Sequence, residues 1–244
     1  MWPYPKILAH RGGGTLAPEN TLAALRCALA HGFHAVELDV MGLADGDLVL
    51  MHDPERGRTV AGSGSVAACT VAELAAVDAG SWFSAEFAGE PVPSFAAAAA
   101  FCVRHGLWMN AEIKPVPGAE SATGALVGAA CKALPPGSVL LSSFSENALR
   151  AAQHAAPDVP RALLVEAVPP DWQVRLDALQ AIALHARAER LTAAQAQAVK
   201  AAGFGLLAYT VNDPDCARHL FALGVDAVCT DRLDRIPAEF ADRS

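Results

Sequence analysis

The chain has 244 residues, of which 53% are apolar and 18% are charged, and its formal net charge is −8. This composition is typical of a soluble globular protein with a large core, and the acidic balance argues against broad binding to nucleic acid or to an anionic membrane, because both need a basic surface. A small phosphate ester is not excluded as a ligand, since a few local cations or one metal ion can reverse the potential inside a pocket.

Short apolar runs of strand length alternate along the chain with longer segments of helical periodicity. The predicted strands are, in chain order, residues 7–9, 35–39, 107–112, 138–142, 161–165, 181–184, 205–210 and 227–230. The predicted helices between them include residues 21–31, 96–104, 146–154, 193–202 and 214–223. Several of these helices end next to a glycine, which is typical of a left-handed C-terminal cap.

This alternation of strands and helices implies a parallel sheet, because each helix returns the chain to the same end of the sheet. Eight strands are the number that closes a (β/α)₈ barrel at this chain length. An open doubly wound sheet is the alternative, but the G-x-G-x-x-G fingerprint expected after its first strand is missing. The predicted fold is therefore a TIM barrel, formed as a single domain by residues 1–244.

Residues 54–93 interrupt the alternation with glycines, prolines and small polar residues. The segment is much longer than an ordinary connection between a strand and a helix, and long loops at the carboxyl end of barrel strands often cover active sites. We therefore predict a small inserted subdomain after the second main strand. Its aromatic residues Trp82, Phe83 and Phe87 either line the site or form a core of their own, and the second interpretation is favoured.

The amino-terminal residues show no basic region followed by an apolar one, so no secretory signal is predicted. The longest apolar run, residues 95–103, is far too short to span a membrane. The six cysteines include no C-x-x-C pair and lie mostly in apolar segments, which is typical of small core side chains rather than of a disulfide framework. These features predict a cytoplasmic protein.

Ionisable side chains cluster where the predicted strands end: His10 and Arg11, Glu37 and Asp39, and Glu112 and Lys114. His52 follows a short extended piece, residues 48–51. Glu37 and Asp39 project to the same side of their strand, because side chains alternate along a strand. A barrel interior cannot hold unpaired carboxylates, so three carboxylates at one rim need a cation, and Mg²⁺ or Ca²⁺ suits a set of oxygen ligands. The alternative is a structural ring of salt bridges without metal, in which Arg11 and Lys114 pair with the carboxylates.

These residues belong to motifs that follow one another along nearly the whole chain: Ala9-His10-Arg11-Gly12, Ala17-Pro18-Glu19-Asn20-Thr21, Glu37-Leu38-Asp39-Val40, His52-Asp53, Glu112-Ile113-Lys114, Ser142-Ser143-Phe144, Thr210-Val211-Asn212 and Thr230-Asp231. In these motifs the sequence resembles the glycerophosphodiester phosphodiesterase family, in its bacterial cytoplasmic form. The resemblance implies a TIM barrel with a small inserted domain. It also implies an enzyme of lipid and glycerol metabolism that uses a divalent ion to hydrolyse glycerophosphodiesters to sn-glycerol 3-phosphate and an alcohol.

On the matching positions, the resemblance implies that Glu37, Asp39 and Glu112 hold the metal ion and that His10 and His52 are the general acid/base pair. Histidine suits both roles, since its unperturbed pKa of about 6.5 lets it give and take a proton near neutral pH. One imidazole would activate the attacking oxygen while the other protonates the leaving alkoxide. The attacking oxygen is that of water or of the substrate's own glycerol hydroxyl, and the sequence leaves both open.

Further implied contacts concern the substrate. Arg11 and Lys114 are expected to neutralise the phosphate oxygens, with Glu19 supporting Arg11, whereas Asn20 and Thr21 are interpreted as helix-capping residues. Three more side chains at predicted strand ends are candidates for the substrate pocket: Phe144, His185 and Tyr209.

Two other functions compete with this one. A phospholipase-like enzyme acting on intact lipid would need an apolar or basic surface facing the membrane, which this acidic chain does not suggest. A non-catalytic protein that binds phosphate esters would have lost a histidine or a carboxylate of the site, and all five are present. The headgroup alcohol, the choice between Mg²⁺ and Ca²⁺ and the oligomeric state are left open.

Overall fold

The computed structural model describes residues 2–242. Its strands are β1 (Ile7–Ala9), β2 (Ala35–Gly42), β3 (Leu48–Leu50), β4 (Trp108–Ile113), β5 (Val139–Ser143), β6 (Arg161–Val165), β7 (Ala183–Arg187), β8 (Gly205–Tyr209) and β9 (Ala227–Thr230). The pairing order is β1-β9-β8-β7-β6-β5-β4-β2-β3, and β1 also pairs with β2. This last pairing closes a ring of eight parallel strands within the described residues, while β3 lies antiparallel against the end of β2. The predicted TIM barrel is confirmed.

Helices follow the strands and surround the barrel, apart from a short one in the segment 54–93. They are α1 (Leu22–Ala30), α2 (Val71–Ala75), α3 (Phe95–His105), α4 (Glu120–Lys132), α5 (Glu146–Ala155), α6 (Trp172–Leu179), α7 (Ala193–Ala201) and α8 (Pro214–Ala222). Most begin at a residue whose side-chain oxygen accepts a backbone N–H of the first turn: Thr21, Thr70, Ser94, Ser145, Thr192 and Asp213. Each such cap satisfies a donor that the helix itself leaves unpaired.

The observed position of β7 differs from the prediction by several residues. Strand 181–184 was expected, but Gln180 adopts a left-handed conformation and the N–H of Ala181 donates to the carbonyl of Leu176. These residues therefore complete the C-terminal turn of α6. The strand begins only at Ala183 and continues to Arg187.

An aromatic group fills the amino-terminal end of the barrel. The rings of Tyr4 and Trp108 are stacked with their centroids 4.5 Å apart, and Trp2 packs edge-on against both. These rings lie against the buried side chains of the barrel interior: Leu8, Ala35, Leu140, Ala162, Ala183, Leu207, Ala227 and Cys229. The interior is thus closed by apolar packing at this end, and polar side chains are placed at the opposite, carboxyl-terminal end.

The segment 54–93 contains α2 and two short 3₁₀ turns, Val66–Ala68 and Ala85–Phe87. Its core is aliphatic and shared with the β2–β3 hairpin: Met41, Leu43, Val49, Met51, Val60, Val66, Cys69, Leu74, Ala79 and Val92. Phe83 packs edge-on against Trp82 and Phe87, with centroid distances of 5.7 and 5.6 Å, and Trp82 stays 42% exposed. The aromatic row therefore lies outside this aliphatic core, and the division into a barrel domain and an inserted subdomain stays a prediction.

The cysteines are free thiols throughout the described part of the chain. Four of them are buried, as expected of small core side chains: Cys69, Cys102, Cys131 and Cys229. The expectation is wrong for Cys216, which is exposed on α8. Among residues 2–242, no helix combines the length and the apolar character that crossing a membrane requires, and the cytoplasmic location stays a prediction.

Replacing Gly124 by alanine is expected to destabilise the protein, because α4 and α5 pack closely there. A Cβ at this position would lie 2.1 Å from the carbonyl oxygen of Ala148 on α5. Overpacking of this kind costs about 1–3 kcal/mol, which exceeds the gain of up to ~1 kcal/mol in helix propensity. Urea unfolding should show a lower midpoint for Gly124→Ala, whereas the control Ser121→Ala, at an exposed position of α4, should match the parent. Equal midpoints for both variants would contradict the close helix contact.

Candidate active site

Three carboxylates meet at the carboxyl ends of β2 and β4. Asp39 pairs with Glu112 in the parallel register of these strands, and Glu37 stands two residues earlier on the same face. One oxygen from each of Glu37, Asp39 and Glu112 lies within 4.8 Å of the other two. Glu37 and Asp39 are only 5% and 1% exposed. The structure therefore brings together, in buried surroundings, the three carboxylates that the sequence grouped.

Two cations and an amide surround Asp39. Arg11 Nε lies 3.5 Å from Asp39 Oδ2, and Lys114 Nζ lies 3.7 Å from Oδ1. The amide of Asn20 donates to Oδ2 at 2.7 Å, while the N–H of Asp39 donates to Asn20 Oδ1 at 3.1 Å. Burial alone would raise the pKa of Asp39, but the charges of Lys114 and Arg11 outweigh it and the net pKa is lowered. Asp39 is therefore ionised at neutral pH.

Asn20 has a role that the sequence analysis missed. Thr21 alone caps α1, by accepting the N–H of Ala24 at 3.1 Å. Asn20 is buried in a left-handed conformation with φ of 57° and turns its amide onto Asp39. A signal was present, because asparagine tolerates this conformation better than most residues. Only the folded chain, however, places Asn20 beside β2.

The negative charges of Glu37 and Glu112 are less well compensated than that of Asp39. Glu37 Oε2 accepts the backbone N–H of Arg11 at 3.1 Å, but the buried Oε1 has no hydrogen-bond partner among the described residues. Burial and the neighbouring charge of Asp39 raise the pKa of Glu37 to about 8. The same two causes raise the pKa of Glu112 to about 7, although Lys114 Nζ lies 3.2 Å from its Oε1.

These contacts distinguish the two interpretations of the acidic group. A ring of salt bridges is partly present, since Arg11 and Lys114 approach Asp39 and Glu112. Within residues 2–242 it leaves Oε1 of Glu37 buried without a hydrogen-bond partner, and an uncompensated buried carboxylate is costly. Oxygen donors from three carboxylates are the ligands that hard divalent cations prefer. The cluster is thus consistent with a divalent metal ion.

His10 contacts one of these carboxylates and is held by another acid. Its Nε2 lies 3.7 Å from Glu37 Oε2, and its Nδ1 lies 2.6 Å from Asp231 Oδ1. Asp231 is itself fixed by Asn212, whose amide donates to Oδ2 at 2.9 Å. Burial opposes protonation of His10, but the hydrogen bond to Asp231 and the charge of Glu37 outweigh it, so the pKa of His10 is raised.

Asp231 is a second residue whose role the sequence analysis missed, although its Thr-Asp motif was noticed. Thr230 pairs with Ala9 in the parallel register of β9 and β1, so the residues that follow each strand, Asp231 and His10, become neighbours. The first and last strands of the barrel lie next to each other only after the ring closes. The contact therefore joins residues 221 positions apart in sequence.

His52, which follows β3, is held in the same manner. Its Nδ1 lies 2.7 Å from Oδ1 of Asp53, the next residue in the sequence. The antiparallel β3 leads to this position, and the N–H of Met51 donates to the carbonyl of Asp39 at 3.1 Å. Since a carboxylate engages Nδ1 of each imidazole, Nε2 is the nitrogen left for exchanging a proton with a substrate.

Arg11 and Glu19 form an ion pair beside the carboxylates, in which Arg11 Nη1 donates to Glu19 Oε1 at 2.8 Å. Glu19 also accepts two hydrogen bonds from Arg58 of the segment 54–93, at 2.7 and 2.8 Å. Arg58 is not among the site residues predicted from the sequence. Lys114 lies on the opposite side of Asp39, next to Glu112. Both predicted phosphate contacts, Arg11 and Lys114, thus border the acidic group.

Two of the predicted pocket residues lie together near this group. The rings of Phe144 and Tyr209 meet edge-on with centroids 6.1 Å apart, and the Tyr209 hydroxyl donates to the carbonyl of Val165 at 3.0 Å. Phe144 is 46% exposed and lines a cleft of about 340 Å³ together with Glu112 and Lys114. This cleft offers an apolar wall beside the charged side chains.

The prediction that His185 stands at the end of its strand is wrong. Because β7 continues to Arg187, His185 lies in the middle of the strand and is completely buried. Its ring is 6.1 Å from that of Trp2, which belongs to the aromatic group at the amino-terminal end of the barrel. Burial lowers the pKa of His185 to about 3, so it is neutral. Its surroundings do not support a contact with substrate.

Comparisons with known proteins agree with this geometry. Residues 10–235 match the Glycerophosphoryl diester phosphodiesterase family. A glycerophosphodiester phosphodiesterase of Caldanaerobacter subterraneus subsp. tengcongensis is 32% identical over 231 residues, covering 92% of this chain and 93% of its own. The structure of an Oleispira antarctica phosphodiesterase in complex with the product sn-glycerol-3-phosphate is 37% identical, with a TM-score of 0.92 over 98% of this chain and 97% of that one. A glycerophosphodiester phosphodiesterase from Agrobacterium tumefaciens str. C58 is 29% identical, with a TM-score of 0.78 over 98% of this chain and 100% of that one.

Proposed function

Since the chain belongs to the glycerophosphodiester phosphodiesterase family, we propose that this enzyme hydrolyses glycerophosphodiesters to sn-glycerol 3-phosphate and an alcohol. The observation that carries the proposal is the convergence of Glu37, Asp39 and Glu112 beside His10, at the carboxyl end of the barrel. Active sites of TIM barrels lie at this end. The related Oleispira structure, which holds sn-glycerol-3-phosphate, supports the choice of substrate class.

The proposed cofactor is one divalent cation, Mg²⁺ or Ca²⁺, held by the three carboxylates Glu37, Asp39 and Glu112. The unpartnered oxygen of Glu37 and the raised pKa values of Glu37 and Glu112 support this, because a bound cation would compensate both carboxylates. When bound, such an ion supplies positive charge that polarises the phosphate and stabilises the charge developing on its oxygens.

The proposed acid/base pair is His10 and His52. The hydrogen bonds that the Nδ1–H groups donate to Asp231 and Asp53 fix each imidazole ring and leave Nε2 for the reaction. One histidine removes the proton of the attacking hydroxyl, and the other donates a proton to the leaving alkoxide. The attacking oxygen belongs to water or to the substrate's glycerol hydroxyl. In the second case a cyclic phosphate forms first, and water then opens it with the same pair.

The proposed phosphate contacts are Arg11 and Lys114, which would neutralise the non-bridging oxygens of the diester. Glu19 supports Arg11 by accepting a hydrogen bond from its Nη1. We assign the cleft beside Phe144 and Tyr209 to the glycerol or alcohol part of the substrate, because its aromatic wall adjoins Lys114 and Glu112.

A panel of deacylated phospholipids tests the proposal. The purified enzyme should release sn-glycerol 3-phosphate from glycerophosphocholine and glycerophosphoethanolamine when Mg²⁺ or Ca²⁺ is added, and release should be measured with a coupled glycerol 3-phosphate assay. Intact phosphatidylcholine in vesicles should not be cleaved. Binding of these diesters without turnover would favour the non-catalytic alternative, and faster cleavage of intact lipid would favour the phospholipase-like one.

A further inference from the structure

Arg58 joins the two carboxylates that flank the site. Its Nη1 and Nη2 donate to the two oxygens of Glu19 at 2.7 and 2.8 Å, and its Nε donates to Asp53 Oδ2. Glu19 Oε1 also accepts from Arg11, and Asp53 Oδ1 contacts Nδ1 of His52. The Arg58 guanidinium therefore connects Glu19, which contacts Arg11, with Asp53, which contacts His52.

The loop that carries Arg58 is anchored on both sides. The N–H of Gly57 donates to the carbonyl of Val60 at 2.9 Å, and Val60 is buried in the aliphatic core of the segment 54–93. The buried Thr59 donates through its hydroxyl to the sulfur of Met51, the residue before His52, at 3.6 Å. The same loop thus packs under the chain that leads to His52 while it presents Arg58 to Glu19 and Asp53.

We propose that Arg58 is a positioning residue for the hydrolysis, which holds His52 through Asp53 and Arg11 through Glu19 in their working orientations. This inference rests on the proposed function and extends it, because it assigns to the segment 54–93 a part in ordering the site. Displacements of about 1 Å at a reacting group can lower a rate about 100-fold, even when they originate away from the chemistry.

The alternative is that Arg58 only balances the charge of two acids. The geometry favours positioning, because the three bonds use three different nitrogens of a planar fork that lysine does not possess. The Arg58 side chain is also 44% exposed, and ion pairs at such positions contribute little to stability. The hydrogen bond from Arg58 lowers the pKa of Asp53 to about 2, so Asp53 stays an acceptor for the imidazole N–H of His52.

Three variants separate these alternatives. We expect Arg58→Gln to lower kcat about 10- to 100-fold with a much smaller change in KM and an unchanged melting temperature, and Arg58→Lys to recover only a small part of the loss. The matched control is Arg26→Gln, which removes another arginine bound to the segment 54–93, through Glu90, away from the site carboxylates. It should behave as the parent. A parental kcat for Arg58→Lys would show that charge alone matters and would overturn the proposal, as would equal kinetics of Arg58→Gln and Arg26→Gln.

A double-mutant cycle tests the route of the effect. If Arg58 acts largely through Asp53, adding Arg58→Gln to Asp53→Asn should lower kcat by less than about threefold, although each single change costs at least about tenfold. Multiplicative effects would contradict this route. The parent enzyme and His52→Ala, assayed in parallel, distinguish a failure of the proposed function from a failure of the proposed role of Arg58. If the parent enzyme releases no glycerol 3-phosphate, the proposed function fails. If His52→Ala retains parental activity, the acid/base role of His52 fails, and with it the route from Arg58 through Asp53. If His52→Ala loses activity while Arg58→Gln does not, only the role of Arg58 fails.

Discussion

Replacing His10 or His52 by alanine is expected to lower kcat by about two to four orders of magnitude, the usual contribution of general acid/base catalysis. The physical reason is that an alkoxide leaves poorly without a proton donor, and the attacking hydroxyl is a weak nucleophile without a base. Both imidazoles are held at Nδ1, by Asp231 and Asp53, so each has one nitrogen directed to proton exchange. Steady-state rates of glycerol 3-phosphate release give the measurement.

Folding of these variants needs a control, because His10 lies close to buried groups. His34→Ala is the matched substitution, since His34 is exposed and precedes β2 at the amino-terminal end of the barrel. It should keep parental kcat, and circular dichroism spectra should coincide for all three variants. A folded His10→Ala or His52→Ala enzyme with near-parental kcat would remove that histidine from the acid/base pair. An equal loss in His34→Ala would show that the effect is not specific to the site.

Removal of divalent cations with a chelator is expected to abolish hydrolysis, and added Mg²⁺ or Ca²⁺ should restore it. Without a cation, the raised pKa values of about 8 for Glu37 and about 7 for Glu112 leave both carboxyl groups partly protonated at neutral pH. Binding of the ion requires the ionised carboxylates and therefore releases protons. The apparent metal affinity should consequently increase as the pH rises through 7 and 8, which isothermal titration calorimetry in two buffers can measure.

The substitution Glu112→Gln is a second test of the proposed metal site. The amide keeps the shape of the side chain but lowers its charge, so the metal concentration for half-maximal activity should rise while the melting temperature changes little. Glu86→Gln is the matched control, because Glu86 is exposed in the 3₁₀ turn Ala85–Phe87 and lies outside both the acidic group and the cleft beside Phe144. Full activity in chelator, or an identical metal titration for Glu112→Gln and the parent, would exclude the proposed metal site.

Much of the fold follows from local patterns. The eight strands of the barrel were predicted within a few residues, because buried parallel strands are continuous apolar runs bounded by glycine caps and helical segments. The largest error, at β7, arose where Gln180 extends the end of α6 and delays the strand. That error moved His185 from the predicted rim into the barrel interior. Strand ends are decided by hydrogen bonds to neighbouring elements, which apolar periodicity does not reveal.

Only part of the site could be predicted from the sequence. Side-chain alternation along β2 was enough to place Glu37 and Asp39 on one face, and their charge in an apolar strand signalled that a partner was needed. The local signals at Asn20, Asp231 and Arg58 did not reveal their roles, because asparagine before a helix, aspartate after a strand and arginine in a glycine-rich loop all have ordinary structural roles. Each was identified through a contact made in the folded chain.

The amino-acid sequence by itself indicated the barrel through its periodicity and the acidic group through residue type and side-chain alternation, because these depend on local patterns along the chain. The resemblance of its motifs indicated the family and, from it, the histidine pair. The tertiary structure decided which groups support the acidic group and the histidine pair. Closure of the ring brings Asp231 to His10, the turn before α1 brings Asn20 to Asp39, and the segment 54–93 brings Arg58 to Glu19 and Asp53. These contacts join residues that are distant in sequence or on different elements, so their energies depend on three-dimensional proximity, which no local pattern encodes.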